Sequence, residues 1–253
     1  MRIAVAGSSG AVGRHVVAEA RARGHEVVSI SRLAGVDVLG IDDLSAALDG
    51  AEAIIDVLNI ETTSQTKATA FFINSTANLQ RAGTIRKVRR LVTLSIVGID
   101  RVPGFGYYQA KLAQEDAARK GPIPATIVRA TQFHEFAIQM LARARIGPLV
   151  LVPRMSTQPV AARSLGAVLV DIATAEAPVG EIEVAGPEKV DMVKLTRRVA
   201  RRNGKWVGVL PLWLPGEAGR TMRSGALLPR DGARIVGPDT ATWLATTDAL
   251  IRQ

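Results

Sequence analysis

The chain has 253 residues, 47% of them hydrophobic, and this composition excludes a disordered protein. Cysteine is absent, which excludes disulfides and thiolate metal sites and fits a reducing cytoplasm. The net charge of +9 indicates an attraction for small anions rather than a nucleic-acid partner, because the densest basic clusters, residues 86–90 and 196–202, contain no aromatic residue for stacking on bases. No apolar run reaches the roughly 20 residues of a membrane span, and no leader precedes the first strand pattern, so we expect a cytoplasmic protein.

Short β-rich runs alternate with helical patterns through the first half of the chain. The predicted strands are Ile3–Ala6, Glu26–Ile30, Ala53–Val57, Arg90–Leu94 and Ala125–Arg129. The predicted helices are Ala11–Arg23, Ile41–Leu48, Thr66–Ala82 and Tyr107–Lys120. This alternation is typical of an α/β fold with a doubly wound parallel sheet of the Rossmann type. We therefore predict a dinucleotide-binding core over residues 1–130 and a smaller substrate-side region over residues 131–253, packed on the same domain.

Three glycines lie between the first strand and the first helix. Gly7 permits a tight turn, Gly10 lets a pyrophosphate approach the backbone, and Gly13 lets the helix pack on the strand. An anion there would meet free N–H groups at the positive end of the helix dipole. The sequence therefore predicts a dinucleotide-binding loop, which also contains Ser8, Ser9, Ala11 and Val12.

The end of the second strand bears on which dinucleotide binds. NAD sites usually have an acidic residue here for the ribose hydroxyls, whereas this chain has Ser31 and Arg32. A guanidinium suits a 2′-phosphate, so NADP is favoured over NAD, although Arg32 could be an ordinary surface arginine. Asp37 is a candidate neighbour of the adenine. Val57, at the end of the third strand, and Leu58 and Asn59, which follow it, are expected to line the cofactor cleft.

A second constellation follows the fourth strand. Ser95 ends that strand, and Tyr107 and Lys111 lie four residues apart on one face of the next helix. Hydride transfer to a carbonyl needs a proton donor, and a phenol can serve if a nearby ammonium lowers its pKa. We therefore predict that Tyr107 donates the proton, Lys111 tunes it and holds the nicotinamide ribose, and Ser95 polarises the carbonyl. The alternative is that Tyr107 is only a packing residue.

These motifs resemble the short-chain dehydrogenase/reductase superfamily. The segments "LSIVGID", "YYQAKLAQE", "RATQFHEF" and "GALLP" are similar to its atypical NmrA-like, NAD(P)H-binding branch. The resemblance implies an NADP-dependent oxidoreductase or, alternatively, a non-catalytic redox sensor, because the branch contains both. Alignment of "STANL" with the family's Gly-Thr-x-Asn-Leu motif puts Phe72 where the family has a helical asparagine. An isomerase or epimerase of sugar nucleotides is a third alternative.

The stretch after the fifth strand resembles the family segment that borders the nicotinamide. Thr131 and Gln132 are expected to contact the carboxamide, and Phe133 to cover the ring. His134 is either a loop residue or an acid–base group. The three histidines are scattered, so no metal site is predicted.

The late stretch Trp206–Pro229 is unusually apolar. It could form the wall or lid of an apolar substrate pocket, ordinary core packing, or a subunit contact in a homo-oligomer. Such a wall would suit a small-molecule carbonyl, enone or quinone.

Overall fold

A parallel β-sheet forms the centre of the fold in the computed structural model, which describes residues 1–177 and 179–251. Its strands are β1 (Arg2–Ala6), β2 (Glu26–Ile30), β3 (Ala53–Asp56), β4 (Arg90–Ile96), β5 (Ala125–Ala130), β9 (Glu181–Ala185) and β12 (Arg234–Ile235). Smaller sheets contain β6 (Arg145–Ile146), β7 (Leu149–Pro153), β8 (Ser156–Thr157), β10 (Val190–Asp191) and β11 (Gly208–Leu212). The strand order in the central sheet is β12-β9-β5-β4-β3-β1-β2. The predicted Rossmann-type α/β fold is confirmed.

Helices connect the strands. They are α1 (Gly13–Ala22), α2 (Ile41–Ala47), α3 (Gln65–Ile85), α4 (Gly106–Lys120), α5 (Glu135–Arg143), α6 (Ala162–Thr174), α7 (Met192–Arg202), α8 (Gly216–Arg223) and α9 (Thr240–Ala245). Side-chain caps fix several helix starts: Ser64 accepts a hydrogen bond from the amide of Lys67 at α3, and Asp191 accepts one from Lys194 at α7. Among the described residues, no helix is long and apolar enough to cross a membrane.

The chain divides into two compact units. The first comprises Met1–Ile96, Gly106–Arg129 and Leu165–Ile182, and the second comprises Val97–Phe105, Ala130–Ser164 and Glu183–Gln253. The first unit therefore includes a segment from beyond the predicted boundary at residue 130.

The first unit buries its strands between two helical layers. Ala4, Ile54 and Leu91 face a cluster that contains buried residues of α2, α3 and α4. On the opposite side, α1 and α6 lie so close that a Cβ on Gly166 would be 3.0 Å from the carbonyl carbon of His15. Strands covered on both faces are expected to be apolar, as β1 is from Ile3 to Ala6.

In the second unit, α7 packs on β7 and β11. Met192, Leu195 and Val199 are among its buried positions and have the i, i+3, i+7 spacing of an apolar helix face. The opposite face of α7 is basic, as the sequence indicates for residues 196–202.

Candidate active site

Contacts within the protein backbone require two of the three glycines in the glycine loop. Gly7 has a φ of +85°, and a Cβ there would be 2.9 Å from the carbonyl oxygen of Val57. A Cβ on Gly13 would be only 2.0 Å from the carbonyl oxygen of Gly7. Both glycines are therefore required for the turn and for the approach of α1 to the loop, with or without a ligand.

Gly10 differs from the other two glycines. It is exposed, and a Cβ there would meet one atom, the carbonyl oxygen of Gly7, at 3.2 Å. Among the described residues, no acceptor is present for the backbone N–H groups of Ser9, Ala11, Val12 and Gly13. Unpaired amides at the start of a helix preceded by an open glycine form a cradle for an anion, so the loop fits a pyrophosphate.

The end of β2 leads into a single 3₁₀ turn that carries the predicted 2′-phosphate site. The Ser31 hydroxyl caps this turn by accepting a hydrogen bond from the amide of Ala34 at 3.2 Å. Arg32 is exposed, and within the described residues its guanidinium has no carboxylate partner. The Asp37 carboxylate accepts a hydrogen bond from the amide of Leu39 at 3.0 Å and so shapes the following loop. Arg32 is thus available to a phosphate.

The segment after β3 joins the glycine loop to the predicted tyrosine. Val57 donates its amide to the carbonyl of Ala6, beside Gly7. Two residues on, Asn59 Oδ1 accepts hydrogen bonds from the Tyr107 hydroxyl at 2.6 Å and from the amide of Ile60 at 2.9 Å. The structure therefore brings together Val57, Asn59 and Tyr107.

Tyr107 is an acid of raised pKa. Burial raises the pKa of its phenol to about 12. The expected lowering by Lys111 is wrong for this structure, because the Lys111 ammonium is bonded elsewhere. The Phe72 ring packs edge-on against the Tyr107 ring, with centroids 5.9 Å apart, and lies 4.7 Å from Lys111 Nζ. An apolar ring therefore lies beside both residues, as the alignment of Phe72 with the family's asparagine implies.

The partners of Lys111 are buried. Its Nζ donates to the carbonyl oxygen of Leu94 at 2.7 Å and to Gln114 Oε1. Gln114 Nε2 in turn donates to Asp56 Oδ2 at 2.9 Å, and the amide of Leu58 donates to Asp56 Oδ1 at 3.1 Å. The result is a buried hydrogen-bond network that runs from the end of β3 through α4 to β4.

Burial favours the neutral forms of both titratable groups in this network, Lys111 and Asp56. It lowers the pKa of Lys111 to about 8, against the opposing attraction of Asp56 and Glu115. It raises the pKa of Asp56, and this effect outweighs the attraction of Lys111 and the hydrogen bonds from Leu58 and Gln114.

Ser95 lies one residue before the end of β4, not at its end, and is 2% exposed. The strand continues because the amide of Val97 still pairs with the carbonyl of Ala130. Within the described residues, the Ser95 hydroxyl makes no hydrogen bond of normal geometry. It nevertheless lies close enough to Glu115 to help lower the pKa of that carboxyl. The structure thus directs Ser95 toward Glu115 and not toward Tyr107.

Glu115 and Arg129 form a buried ion pair in the first unit. Arg129 donates to both carboxylate oxygens of Glu115, at 2.9 and 2.7 Å. Burial alone would raise the pKa of Glu115, but the hydrogen bonds from Arg129 and Arg119, together with the nearby Ser95 hydroxyl, hold it below its usual value.

The predicted nicotinamide segment belongs to the second unit. The buried Thr131 hydroxyl donates to the carbonyl of Gln158 at 2.6 Å, the carbonyl of Gln132 accepts from the amide of Val160, and Phe133 forms a parallel bridge with Val160. His134 is 1% exposed and stacks on Trp243 with centroids 4.8 Å apart. Burial lowers the pKa of His134 to about 4, so this histidine is a neutral packing residue at pH 7.

The described residues include no cluster of three or more potential metal ligands. Sequence reasoning missed the buried roles of Asp56, Gln114, Glu115 and Arg129. One signal was available: Asp56 directly follows three apolar strand residues, where a carboxylate needs buried partners. Gln114 and Glu115 lie three and four residues after Lys111, on its helical face.

Comparison with known proteins identifies the family. A family model described as NAD(P)H-binding matches residues 7–176. The chain belongs to this NAD(P)H-binding family. The matched range includes the glycine loop, Tyr107 and Lys111, and the resemblance to atypical short-chain dehydrogenases/reductases is confirmed. No curated protein matches the chain.

Solved structures share the fold at low sequence identity. Citrobacter sp. triphenylmethane reductase complexed with NADP(H) is 16% identical, with 97% of this chain and 95% of that chain covered and a TM-score of 0.67. An NADPH-dependent quinone oxidoreductase from Escherichia coli, complexed with NADPH, is 15% identical, with 96% and 98% covered and a TM-score of 0.71. A nucleoside-diphosphate-sugar epimerase from Pseudomonas aeruginosa is 18% identical, with 98% and 97% covered and a TM-score of 0.69.

Proposed function

We propose that this protein is an NADP-dependent oxidoreductase that reduces an apolar carbonyl, enone or quinone. The observation that carries the proposal is the Tyr107 phenol, held by Asn59 at 2.6 Å on the segment that also borders Gly7. Bound NADPH would supply the hydride, with its pyrophosphate on the amides of the glycine loop. Membership of the NAD(P)H-binding family supports the cofactor class.

Tyr107 is suited to donate a proton. Its pKa of about 12 keeps the phenol protonated at neutral pH, so it can serve as an acid toward a developing alkoxide and not as a resting base. This state favours the reduction direction. The phenol donates its hydrogen bond to Asn59 Oδ1, so proton donation to a substrate requires the hydroxyl to rotate away from Asn59.

Lys111 and Ser95 have supporting parts in the proposal. Lys111 is held one turn from Tyr107 by Leu94 and Gln114, and its ammonium adds positive charge near the oxygen that becomes negative. Ser95 contributes a hydroxyl that lies near Glu115 but makes no hydrogen bond of normal geometry within the described residues, so it can turn toward a substrate carbonyl. Thr131, Gln132 and Phe133 remain the proposed nicotinamide neighbours.

The NADP preference depends on Arg32. An exposed guanidinium without a carboxylate partner in the described structure, beside the Ser31 hydroxyl, supports recognition of a 2′-phosphate. Arg32→Ala should weaken NADPH binding about tenfold or more and leave NADH binding nearly unchanged, because only NADPH carries the phosphate. Equal loss for both nucleotides, measured by fluorescence titration, would contradict this assignment.

The activity is tested by NADPH oxidation in the presence of quinones, enones and ketones, with Tyr107→Phe beside the wild type. The phenylalanine keeps the ring contact with Phe72 but removes the acid. We expect turnover to fall about a hundredfold or more with NADPH affinity retained. Turnover equal to that of the wild type would refute Tyr107 as the donor.

A non-catalytic NADP(H) sensor is the second candidate. Phe72 in place of a polar residue beside Lys111, together with a Tyr107 pKa that is raised instead of lowered, favours it. The sensor predicts tight NADPH binding without turnover on any substrate class. The same titration and oxidation assay separate it from the enzyme.

A further inference from the structure

One face of the β6–β7–β11 sheet in the second unit is apolar. Strand register places β11 beside β7 and β7 beside β6, with Leu210 opposite Leu151 and Ile146 opposite Leu149. Because paired residues share a face, alternation assigns six side chains to this side. They are Ile146, Leu149, Leu151, Pro153, Leu210 and Leu212, and we call them the apolar sheet face.

The side chains of this face are exposed or half-buried, whereas the valines of the opposite face are buried. Val150, Val152 and Val209 point the other way and are buried, on the side where α7 packs. In contrast, Ile146 is 65% exposed and Leu210 is 42% exposed. A contiguous exposed apolar face of this kind marks an interaction site.

Two tryptophans flank β11. Trp206, two residues before the strand, is 98% exposed, and Trp213, directly after it, is 56% exposed. The guanidinium carbons of Arg154 and Arg223 lie 4.6 and 5.2 Å from the centroid of the Trp213 ring. Core packing therefore does not explain Trp206, although Met222 and Leu227 of the same stretch are buried.

The two sequence segments that form this sheet and its flanks carry most of the net charge of the protein. Residues 143–157 and 201–225, which contain β6, β7 and β11 with their flanks, hold eight arginines and lysines and one acidic residue, Glu217. These two segments therefore account for seven of the nine net positive charges of the chain. The remaining residues together are close to neutral.

We propose that the apolar sheet face docks on an anionic lipid bilayer. Aliphatic side chains and tryptophans enter the boundary between headgroups and acyl chains, while the surrounding arginines and lysines attract anionic headgroups. A second copy is a poorer occupant, because symmetric pairing would bring two strongly positive surfaces together. A nucleic acid would bind the basic side chains but would leave the aliphatic side chains exposed to water.

Sedimentation with vesicles tests this surface. The wild type should bind vesicles of phosphatidylcholine with phosphatidylglycerol roughly tenfold or more tightly than vesicles of phosphatidylcholine alone, and high salt should reduce the difference. Brominated lipids should quench tryptophan fluorescence in the wild type. Trp206→Ser, at a fully solvated position, should weaken binding roughly tenfold and reduce the quenching.

Matched variants distinguish binding through the apolar sheet face from a general effect of net charge or surface hydrophobicity. Lys205→Glu should weaken binding roughly tenfold or more, whereas Lys120→Glu, an equal charge change on α4, should weaken it much less. Ile85→Ser removes an apolar side chain that is 59% exposed in the first unit and should leave binding unchanged. Circular dichroism confirms that each variant is folded.

Several results would overturn the proposal. These are no binding to anionic vesicles at low salt, equal weakening by Lys205→Glu and Lys120→Glu, or binding to RNA but not to vesicles. A wild-type dimer that Trp206→Ser converts to a monomer would assign the surface to a second copy instead. None of these results depends on turnover or on the nucleotide.

Discussion

Substituting Gly10 and Gly13 separately distinguishes a glycine needed by a ligand from one needed by the fold. A Cβ on the exposed Gly10 would meet only the Gly7 carbonyl oxygen, at 3.2 Å, and Gly10 itself has no positive φ. Movement of a few tenths of an ångström relieves that contact, so Gly10→Ala should change the free energy of unfolding by less than about 1 kcal/mol. The same methyl group would occupy the space through which a pyrophosphate approaches the loop amides. We therefore expect NADPH affinity to fall about tenfold or more, which is about 1.4 kcal/mol.

Gly13→Ala should behave differently. Its Cβ would be 2.0 Å from the Gly7 carbonyl oxygen and 2.9 Å from the Cα of Ser8, both backbone atoms. Relief requires α1 to move away from the loop, and overpacking of this kind destabilises a fold by about 1–3 kcal/mol or more. Stability and nucleotide affinity should therefore fall together.

Urea unfolding measured by circular dichroism gives the stability of each variant, and fluorescence titration with NADPH gives the affinity. The reasoning fails if Gly10→Ala binds NADPH as tightly as the wild type, because the open glycine would then have no ligand to accommodate. It also fails if Gly13→Ala is as stable as the wild type.

Three further predictions concern buried polar groups. The folded-state pKa of His134 lies below its unfolded value, so it contributes stability that is present above about pH 6.5 and lost toward pH 4. The loss in the free energy of unfolding should be about 3 kcal/mol. Urea unfolding across this pH range should show a shallower decline of that free energy for His134→Phe than for the wild type. Equal pH slopes in the two proteins would contradict the assignment. Glu115→Gln should destabilise the protein by about 3–5 kcal/mol, because it removes the buried carboxylate that neutralises the Arg129 guanidinium. Glu181→Gln removes a half-exposed partner of the same arginine and should change stability by less than about 1 kcal/mol; similar losses for both would show that burial is not the cause. Gln114→Ala removes one hydrogen-bond partner from each of two buried groups, the Lys111 ammonium and the Asp56 carboxylate, and should destabilise the protein by about 2 kcal/mol or more in thermal unfolding. Unchanged stability would show that the Gln114 amide does not support these two groups.

The local pattern of the sequence determined the core elements of the first unit. Apolar runs such as Ile3–Ala6 can be buried on both sides only in a parallel sheet between helices, and the observed β1 begins one residue earlier, at Arg2. The glycine loop was readable because its local backbone requires it: Gly7 has a positive φ, and a Cβ on Gly13 would collide with the carbonyl of Gly7. Family resemblance placed Phe72 next to Tyr107 and Lys111, which the packing of the rings reproduces.

Only the tertiary structure decided what Lys111 contacts. Helical spacing put it on the face of Tyr107, but its hydrogen bonds go to β4 and, through Gln114, to Asp56, which is 55 positions earlier in the chain. The direction of the Tyr107 pKa changed accordingly, because burial is a property of the packed interior and not of neighbouring residues in sequence. The apolar sheet face has the same origin. Residues 146–153 and 208–212 are far apart in the chain, and their shared, uncovered face exists only once β7 pairs with β11.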